Sequence, residues 1–429
     1  MIFASMAHGW LVEYSQQPRL RGTRPVSSYD GGVDELTAVP TLVNKGSIAA
    51  SFDDLSRRGM PPADIPAEVW PVPAMIDEAL FTAGAPVFAA SIFRFADSQG
   101  LGLCICMHHD AVDATRFAEV VRLWTQSLAG SGLPLESNLA GVRDRLSRLS
   151  GALSPHLTTS PSQSTDSLFA SHPEYSRTPP MLPSEFPSCT SKLFSLRTAR
   201  VNRLKELLSS SMPTPPTTNT LVCALIWSSI TRARMQRNPA LADETSRLAM
   251  AINGRRRIGA ELSTPGNPYL GKTVLYSLAR LSAEGLRDAS FGLNQPPTES
   301  LPTLCNIIAE SSAQIDSRHI AEVYHLVERV DDYKTIFVGW DLFGARDLTI
   351  TSWADLDLYD MEFGEGLGKP EFIGVPYAEA DGVGLILPRK RGVPNSAGGS
   401  DEVLDIMVML RREDMDALDS DFMWESFMS

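Results

Sequence analysis

The sequence predicts a mixed α/β (α+β) protein built as two domains, and three observations lead there. Its 429 residues suffice for two or three separate cores. Hydrophobic residues make up 43% and charged residues 21%, a balance that excludes a disordered chain. Strand-like and helix-like stretches alternate in both halves, the pattern of sheets flanked by helices. Between the halves, residues 151–191 are dense in Ser, Thr and Pro, as in Ser160-Pro161-Ser162 and Thr178-Pro179-Pro180. Such a run reads as a long exposed crossover. The expected division is a first domain over 1–150, a linker over 151–191 and a second domain over 192–429.

The elements follow in order. Residues 86–95 alternate in part and predict a strand. Residues 101–107 form a short apolar run, the mark of a buried central strand. Phe117, Val120, Val121, Trp124 and Leu128 recur at helical spacing and predict a helix over 115–129. In the second half, 193–196 predicts a strand and 199–208 a helix. Thr217, Thr218 and Asn219 offer caps for an apolar helix over 221–235. Strands are predicted over 248–252, 349–353, 384–387 and 403–410, and a short acidic helix closes the chain.

The bulk numbers exclude several function classes. A formal charge of −13 argues against a nucleic-acid binder, although a local cluster such as Arg255, Arg256 and Arg257 can act against the global sign. Three arginines at a strand end are solvated surface unless a carboxylate or phosphate meets them. The five cysteines have no metal-pair spacing and suit packed thiols in a reducing compartment. No stretch is apolar enough to predict a membrane span. The first residues, interrupted by His8 and Glu13, do not read as a secretory leader, so a cytoplasmic chain is expected.

The most chemically loaded segment is Met107-His108-His109-Asp110-Ala111-Val112-Asp113, where an apolar strand meets a loop. Strand alternation puts Cys104, Cys106 and His108 on one face and Ile105, Met107 and His109 on the other. The two rings therefore do different jobs, and periodicity leaves open which one faces a substrate. Histidine titrates near neutrality and suits proton transfer from an attacking alcohol or amine. Asp113 could orient a ring or hold the loop closed. Adjacent histidines on a strand point apart, so no metal site is expected here. A serine-hydrolase elbow is absent from the sequence.

The segment H-H-x-x-x-D resembles the signature of the BAHD acyltransferases. Three further segments support the resemblance. Ala251-Ile252-Asn253-Gly254-Arg255-Arg256-Arg257 is similar to the family's V-D/N-x-R-x-R run, followed by Tyr269-Leu270-Gly271-Lys272, which resembles Y-F/L-G-N with Lys replacing Asn. Thr351-Ser352-Trp353 resembles a T-S-W segment. Glu362-Phe363-Gly364-Glu365-Gly366 stands in the position of D-F-G-W-G. Its continuation Leu367-Gly368-Lys369-Pro370-Glu371 is similar to the fungal, trichothecene 3-O-acetyltransferase-like branch.

The resemblance implies two chloramphenicol-acetyltransferase-like domains with a channel at their interface. His109 matches the general base of H-x-x-x-D, and His108 would brace the strand end. Asp113 matches a structural residue that pairs with an arginine, here Arg255. Thr351 and Trp353 match positions that hold the acceptor and stabilise the oxyanion. Phe363, Gly364 and Gly366 match a structural signature that shapes one wall of the channel, with a shifted salt bridge expected at Glu362. Arg256, Arg257 and Lys369 are candidate contacts to CoA phosphates. The implied reaction moves an acyl group, acetyl by default, from acyl-CoA to a hydroxyl or amine of a secondary metabolite, with no permanently bound cofactor and no acyl-enzyme. The implied partners are the small-molecule acceptor and acyl-CoA, with no nucleic acid or membrane, and a monomer is expected. Members of the family carry more strand and helix material ahead of the motif, so part of the first domain is expected to be missing. Two rival readings are a degenerate member that only binds ligand and a condensation-type domain acting on carrier-bound acyl groups. Thiol release from acetyl-CoA separates the first rival; carrier-domain neighbours would mark the second.

Overall fold

A computed structural model describes residues 2–6, 42–73, 86–109, 112–130, 145–157, 163–263, 269–289, 300–332, 335–391 and 402–428. Asp110, Ala111, Ser160–Ser162 and the early residues His8 and Glu13 lie outside them. The first half runs β1 (Ile2–Met6), β2 (Leu42–Ser47), α1 (Phe52–Arg57), β3 (Phe88–Arg94), β4 (Leu101–Met107) and α2 (Ala114–Leu128). Then come α3 (Arg145–Leu153), α4 (Thr165–Ser171) and the short β5 (Tyr175–Ser176). The second half continues β6 (Cys189–Arg197), α5 (Thr198–Leu208), α6 (Thr218–Arg237), β7 (Thr245–Asn253), α7 (Arg255–Ile258) and β8 (Val274–Ser282). After α8 (Ala283–Asp288), α9 (Ser300–Ala313) and α10 (Ser317–Arg329) come β9 (Phe337–Val338), β10 (Leu348–Ser352), β11 (Ile373–Gly374), β12 (Val383–Ile386) and β13 (Val403–Arg411). Two helices, α11 (Arg412–Asp419) and α12 (Phe422–Glu425), end the described chain.

These strands form two main sheets, so the mixed α/β class holds. One has the order β11-β1-β4-β3-β2 and the other β6-β13-β12-β10-β7-β8. The first sheet takes an edge strand, β11, from far along the second half, paired parallel to β1. Strand β4 lies centrally, parallel to β1 and antiparallel to β3. In the second sheet β10 runs parallel to both β7 and β12. That parallel centre is buried, as parallel sheets are.

Helix α6 is the spine of the second half. Thr217 caps it by accepting from the Thr220 N–H, so of the three cap candidates the first is used. Every residue from 221 to 235 is buried, because the helix is enclosed by the sheet on one side and by α9 and α11 on others. Trp227 fills the centre, fully buried, and donates its indole N–H to Ser246 Oγ at 2.9 Å. Polar arginines on a buried helix need partners. Arg232 meets Asp421 at 2.9 Å, Arg234 meets Asp381 at 2.9 Å, and Arg237 meets Asp414 at 2.6 Å. They crowd the C-terminal end, where cations also offset the helix dipole.

The Ser/Thr/Pro-rich stretch is more structured than its composition predicts. It contains α4 and β5, and it buries Leu168, His172 and Glu174. Leu168 packs with Leu326, Val330 and Ile336 in a small core of its own. Composition averaged over forty residues hides this short amphipathic turn. All five cysteines are buried without a disulfide. Among the described residues no helix is long and apolar enough to cross a membrane.

Trp227→Ala should cost about 3–5 kcal/mol, as for large buried aromatics. Thr217→Ala should cost about 1 kcal/mol, the worth of a cap. Urea unfolding followed by circular dichroism checks both, and equal costs would contradict the spine role of α6.

Candidate active site

Strand β4 is buried on both faces, which fixes the loop that follows it. Cys104 packs toward Phe93, Phe95 and Leu55, while Ile105 and Met107 pack toward Val112, Phe117 and Trp353. Burial pushes the Cys104 thiol up to about 12, so it stays a neutral packing group. The strand ends at Met107, and alternation stops with it. The His108 N–H donates to the Val87 carbonyl at 2.9 Å, and the His108 carbonyl accepts from the Val112 N–H at 3.2 Å. His108 is half-buried, whereas His109 is 5% exposed.

Asp113 then does three things at once. Its Oδ1 accepts from the Arg116 N–H at 3.0 Å, which caps α2. Its Oδ2 accepts from Arg255 Nη2 at 2.8 Å and from the Thr273 N–H at 3.0 Å. Both side chains are almost fully buried, 1% and 4% exposed. The remaining Arg255 donors also find acceptors: Nε reaches the Tyr269 carbonyl at 2.9 Å, Nη1 the Asn253 Oδ1 at 3.3 Å, and Nη2 the Gly271 carbonyl. A buried ion pair is tolerable only when its hydrogen bonds are filled in this way.

The turn that delivers Arg255 needs a glycine. Gly254 lies against Thr273, and its N–H donates to that carbonyl at 2.8 Å. A Cβ there would meet Leu275 at 2.9 Å and the Thr273 oxygen at 3.0 Å. Close backbone approach therefore selects glycine. Beside it, Asn253 Nδ2 donates to Thr115 Oγ1 at 3.0 Å, a second link between the halves.

One neighbour of His109 was legible in the sequence only as a departure from the resembled motif. Lys272 Nζ lies 3.3 Å from His109 Nδ1. The lysine carbonyl accepts from the Tyr324 hydroxyl at 3.1 Å, so α10 helps to hold this segment. Burial, followed by the Lys272 cation, lowers the His109 ring to about 3 against the opposing pull of Asp113. The ring is therefore neutral at physiological pH.

Thr351 and Trp353 sit at the end of β10, where the Trp353 N–H donates to the Ile386 carbonyl at 2.8 Å. The Trp353 ring is 2% exposed and stacks on Phe117 of α2, with centroids 6.1 Å apart. Its indole N–H is buried with no hydrogen-bond partner among the described residues. Both residues line a mostly apolar cavity of 110 Å³ with Trp340, Thr349 and Gly384. A larger cavity of 370 Å³ opens between α2 and the Arg255 turn, lined by Arg116, Asn253, Arg256, Tyr269 and Ser352 among others.

The remaining residues named from the sequence scatter. Phe363 is buried, and its ring meets Trp124 of α2 edge-on at 6.3 Å. Its N–H donates to the Gly368 carbonyl at 2.9 Å, closing a turn in which Gly364 adopts φ +89. Gly366 is exposed in the same turn. Glu362 is exposed and makes no ion pair among the described residues. Arg256 is exposed at the larger cavity. Arg257 points elsewhere: it donates to the Ser312 and Ile315 carbonyls at the end of α9, which corrects its assignment as a phosphate contact. Lys369 is 55% exposed at a third cavity of 170 Å³, beside Phe52, Gln99 and Phe363. His109 is not among the residues lining these three cavities. A separate group, buried His172 and Glu174 with half-buried His319, had no sequence signal, since 145 residues separate Glu174 from His319.

Comparison with known proteins places the chain. A model of the Transferase family matches residues 62–424. Trichothecene 8-O-acetyltransferase of Fusarium sporotrichioides is 27% identical over 345 residues, covering 75% of this chain and 68% of that protein. The O-acetyltransferase ptmV of Penicillium ochrochloron is 24% identical over 372 residues, covering 80% and 72%. Among solved structures, F. sporotrichioides TRI101 complexed with coenzyme A and T-2 superposes with a TM-score of 0.71 at 18% identity, covering 91% of this chain and 81% of that one. With a match that spans most of its length, the chain belongs to the Transferase family, the BAHD acyltransferases.

Proposed function

We propose that this acyltransferase moves an acetyl group from acetyl-CoA to a hydroxyl of a small secondary metabolite, with His109 as general base and no acyl-enzyme. The observation that carries the reading is the neutral His109 ring on a loop locked by the buried Asp113–Arg255 pair. The names of the relatives, which are O-acetyltransferases, support a hydroxyl acceptor. The coenzyme A bound in the TRI101 structure supports the donor.

The chemistry follows from the residues. His109 takes the hydroxyl proton as the acceptor oxygen attacks the thioester carbonyl. The buried Trp353 indole N–H and the Thr351 hydroxyl are the donors for the oxyanion that forms. As the tetrahedral intermediate collapses, the C–S bond breaks and the imidazolium returns the proton to the CoA sulfur. Arg256, at the mouth of the larger cavity, is the cation for the CoA phosphates. Because the ring is 5% exposed, substrate entry must open a path to it.

Lys272 Nζ lies against His109 Nδ1 in a contact whose donor depends on the ring tautomer. The charged and titratable groups facing the ring are Lys272, Asp113 and His108, and the Lys272 cation disfavours an imidazolium beside it.

His109→Ala should lower acetyl-CoA turnover by about 10²–10⁴-fold, the span of general-base catalysis, while His108→Ala falls well short of that. Thiol release in the presence of an alcohol panel reads both, and the reverse ranking would move the base to His108. Lys272→Asn removes the second cause of the low ring pKa but leaves burial, so the acid limb of kcat/KM should move upward while staying below the ordinary histidine range. An acid limb that does not move takes Lys272 out of the site. Arg255→Met strands a buried carboxylate and should cost about 3–5 kcal/mol of stability. The double variant with Asp113→Asn should recover part of that loss in chemical unfolding, and strict additivity would show that the pair is not coupled.

A further inference from the structure

His172 and Glu174 flank Pro173 in the segment between α4 and β5, and His319 lies in the first turn of α10. His172 is 1% exposed and Glu174 is 3% exposed. His319 Nε2 lies 2.7 Å from Glu174 Oε1, and His172 Nδ1 lies 3.6 Å from the same oxygen. One ligand atom from each residue lies within 4.8 Å of the others. The two rings meet edge-on, 4.6 Å apart and at 87°.

The unusual member is His172. Both its ring nitrogens are buried, and neither has a hydrogen-bond partner. A neutral imidazole always carries one N–H, and buried donors are nearly always satisfied. Its nearest polar neighbours are two carboxylates, Glu174 at 3.6 Å from Nδ1 and Glu322 at 3.5 Å from Nε2. Hydrogen bonding therefore does not account for the ring, whereas a cation between Nδ1 and Glu174 does.

We propose that His172 Nδ1, His319 Nε2 and Glu174 hold a divalent transition-metal ion of the zinc class, with water as the fourth ligand. Bonds of about 2.0–2.2 Å in a tetrahedron hold ligand atoms roughly 3.4 Å apart. The His172–Glu174 separation already suits that value, and the His319–Glu174 contact needs to open by less than about 1 Å. Two imidazoles and one carboxylate form a donor set that favours zinc over magnesium or calcium. Glu322 then accepts from the far nitrogen of His172, the outer-shell carboxylate that fixes a ligating ring.

The role of the ion is structural. The ligand segment presses on Gly339, just after β9, where a Cβ would lie 1.9 Å from the Pro173 oxygen, and the Gly339 N–H donates to the Glu174 carbonyl at 2.9 Å. The ion would thus tie this segment to α10, the helix whose Tyr324 holds the Lys272 carbonyl.

The test uses tag-free full-length protein stripped with a chelator and titrated with zinc against a chromophoric competitor. The expected result is one zinc per chain and a melting temperature that rises by several degrees on zinc addition. Cobalt in place of zinc should give the intense visible bands of a four-coordinate site. Glu174→Gln and His319→Asn should lose the stoichiometric zinc, while His325→Gln, on the same helix but outside the group, should keep it. If His172→Ala does not fold, the two milder variants decide. Stripped wild-type protein that takes up no zinc, or Glu174→Gln protein that binds as much as wild type, overturns the proposal.

Discussion

The site depends on one buried ion pair that joins two distant parts of the chain. Asp113 belongs to the loop after β4 and Arg255 to the turn after β7, 142 residues later. Each is desolvated, and each is stabilised only because nearly all of its remaining hydrogen-bonding capacity is filled. The carboxylate also caps α2, so the same group positions the helix, the loop that carries His109 and the second half. Removing one member leaves a charge in a medium that cannot screen it. That is why the surrounding carbonyls of Tyr269 and Gly271 and the Thr273 N–H matter as much as the pair itself.

The environment of His109 follows from this bracing. A ring pressed against a closed loop is desolvated, and desolvation favours its neutral form. The nearby Lys272 adds to that effect, while Asp113 opposes it from the other side. A ring kept neutral by its surroundings binds a proton weakly.

Much of this architecture was legible in the sequence, and for physical reasons. Strand β4 and helices α2 and α6 bury continuous apolar faces, so their periodicity survives in the residues. The Asp113–Arg255 proximity was reachable only through motif resemblance, because nothing local in either segment names the other. Lys272 was visible as an odd residue but its position was not, since that depends on how β8 packs beside the loop. The Ser/Thr/Pro-rich stretch misled because its composition resembles a tether. Its few anchoring residues, Leu168, His172 and Glu174, gain their meaning from α10 and β9, which come much later in the chain.

The edge position of β11 carries a consequence for biogenesis. The first sheet is assembled from strands near the start of the chain, yet its last member is Ile373–Gly374. During synthesis, the open edge at β1 therefore waits until most of the polypeptide has emerged from the ribosome. Such sequence-distant pairing slows folding and leaves a partly built sheet open to mispairing in the interim.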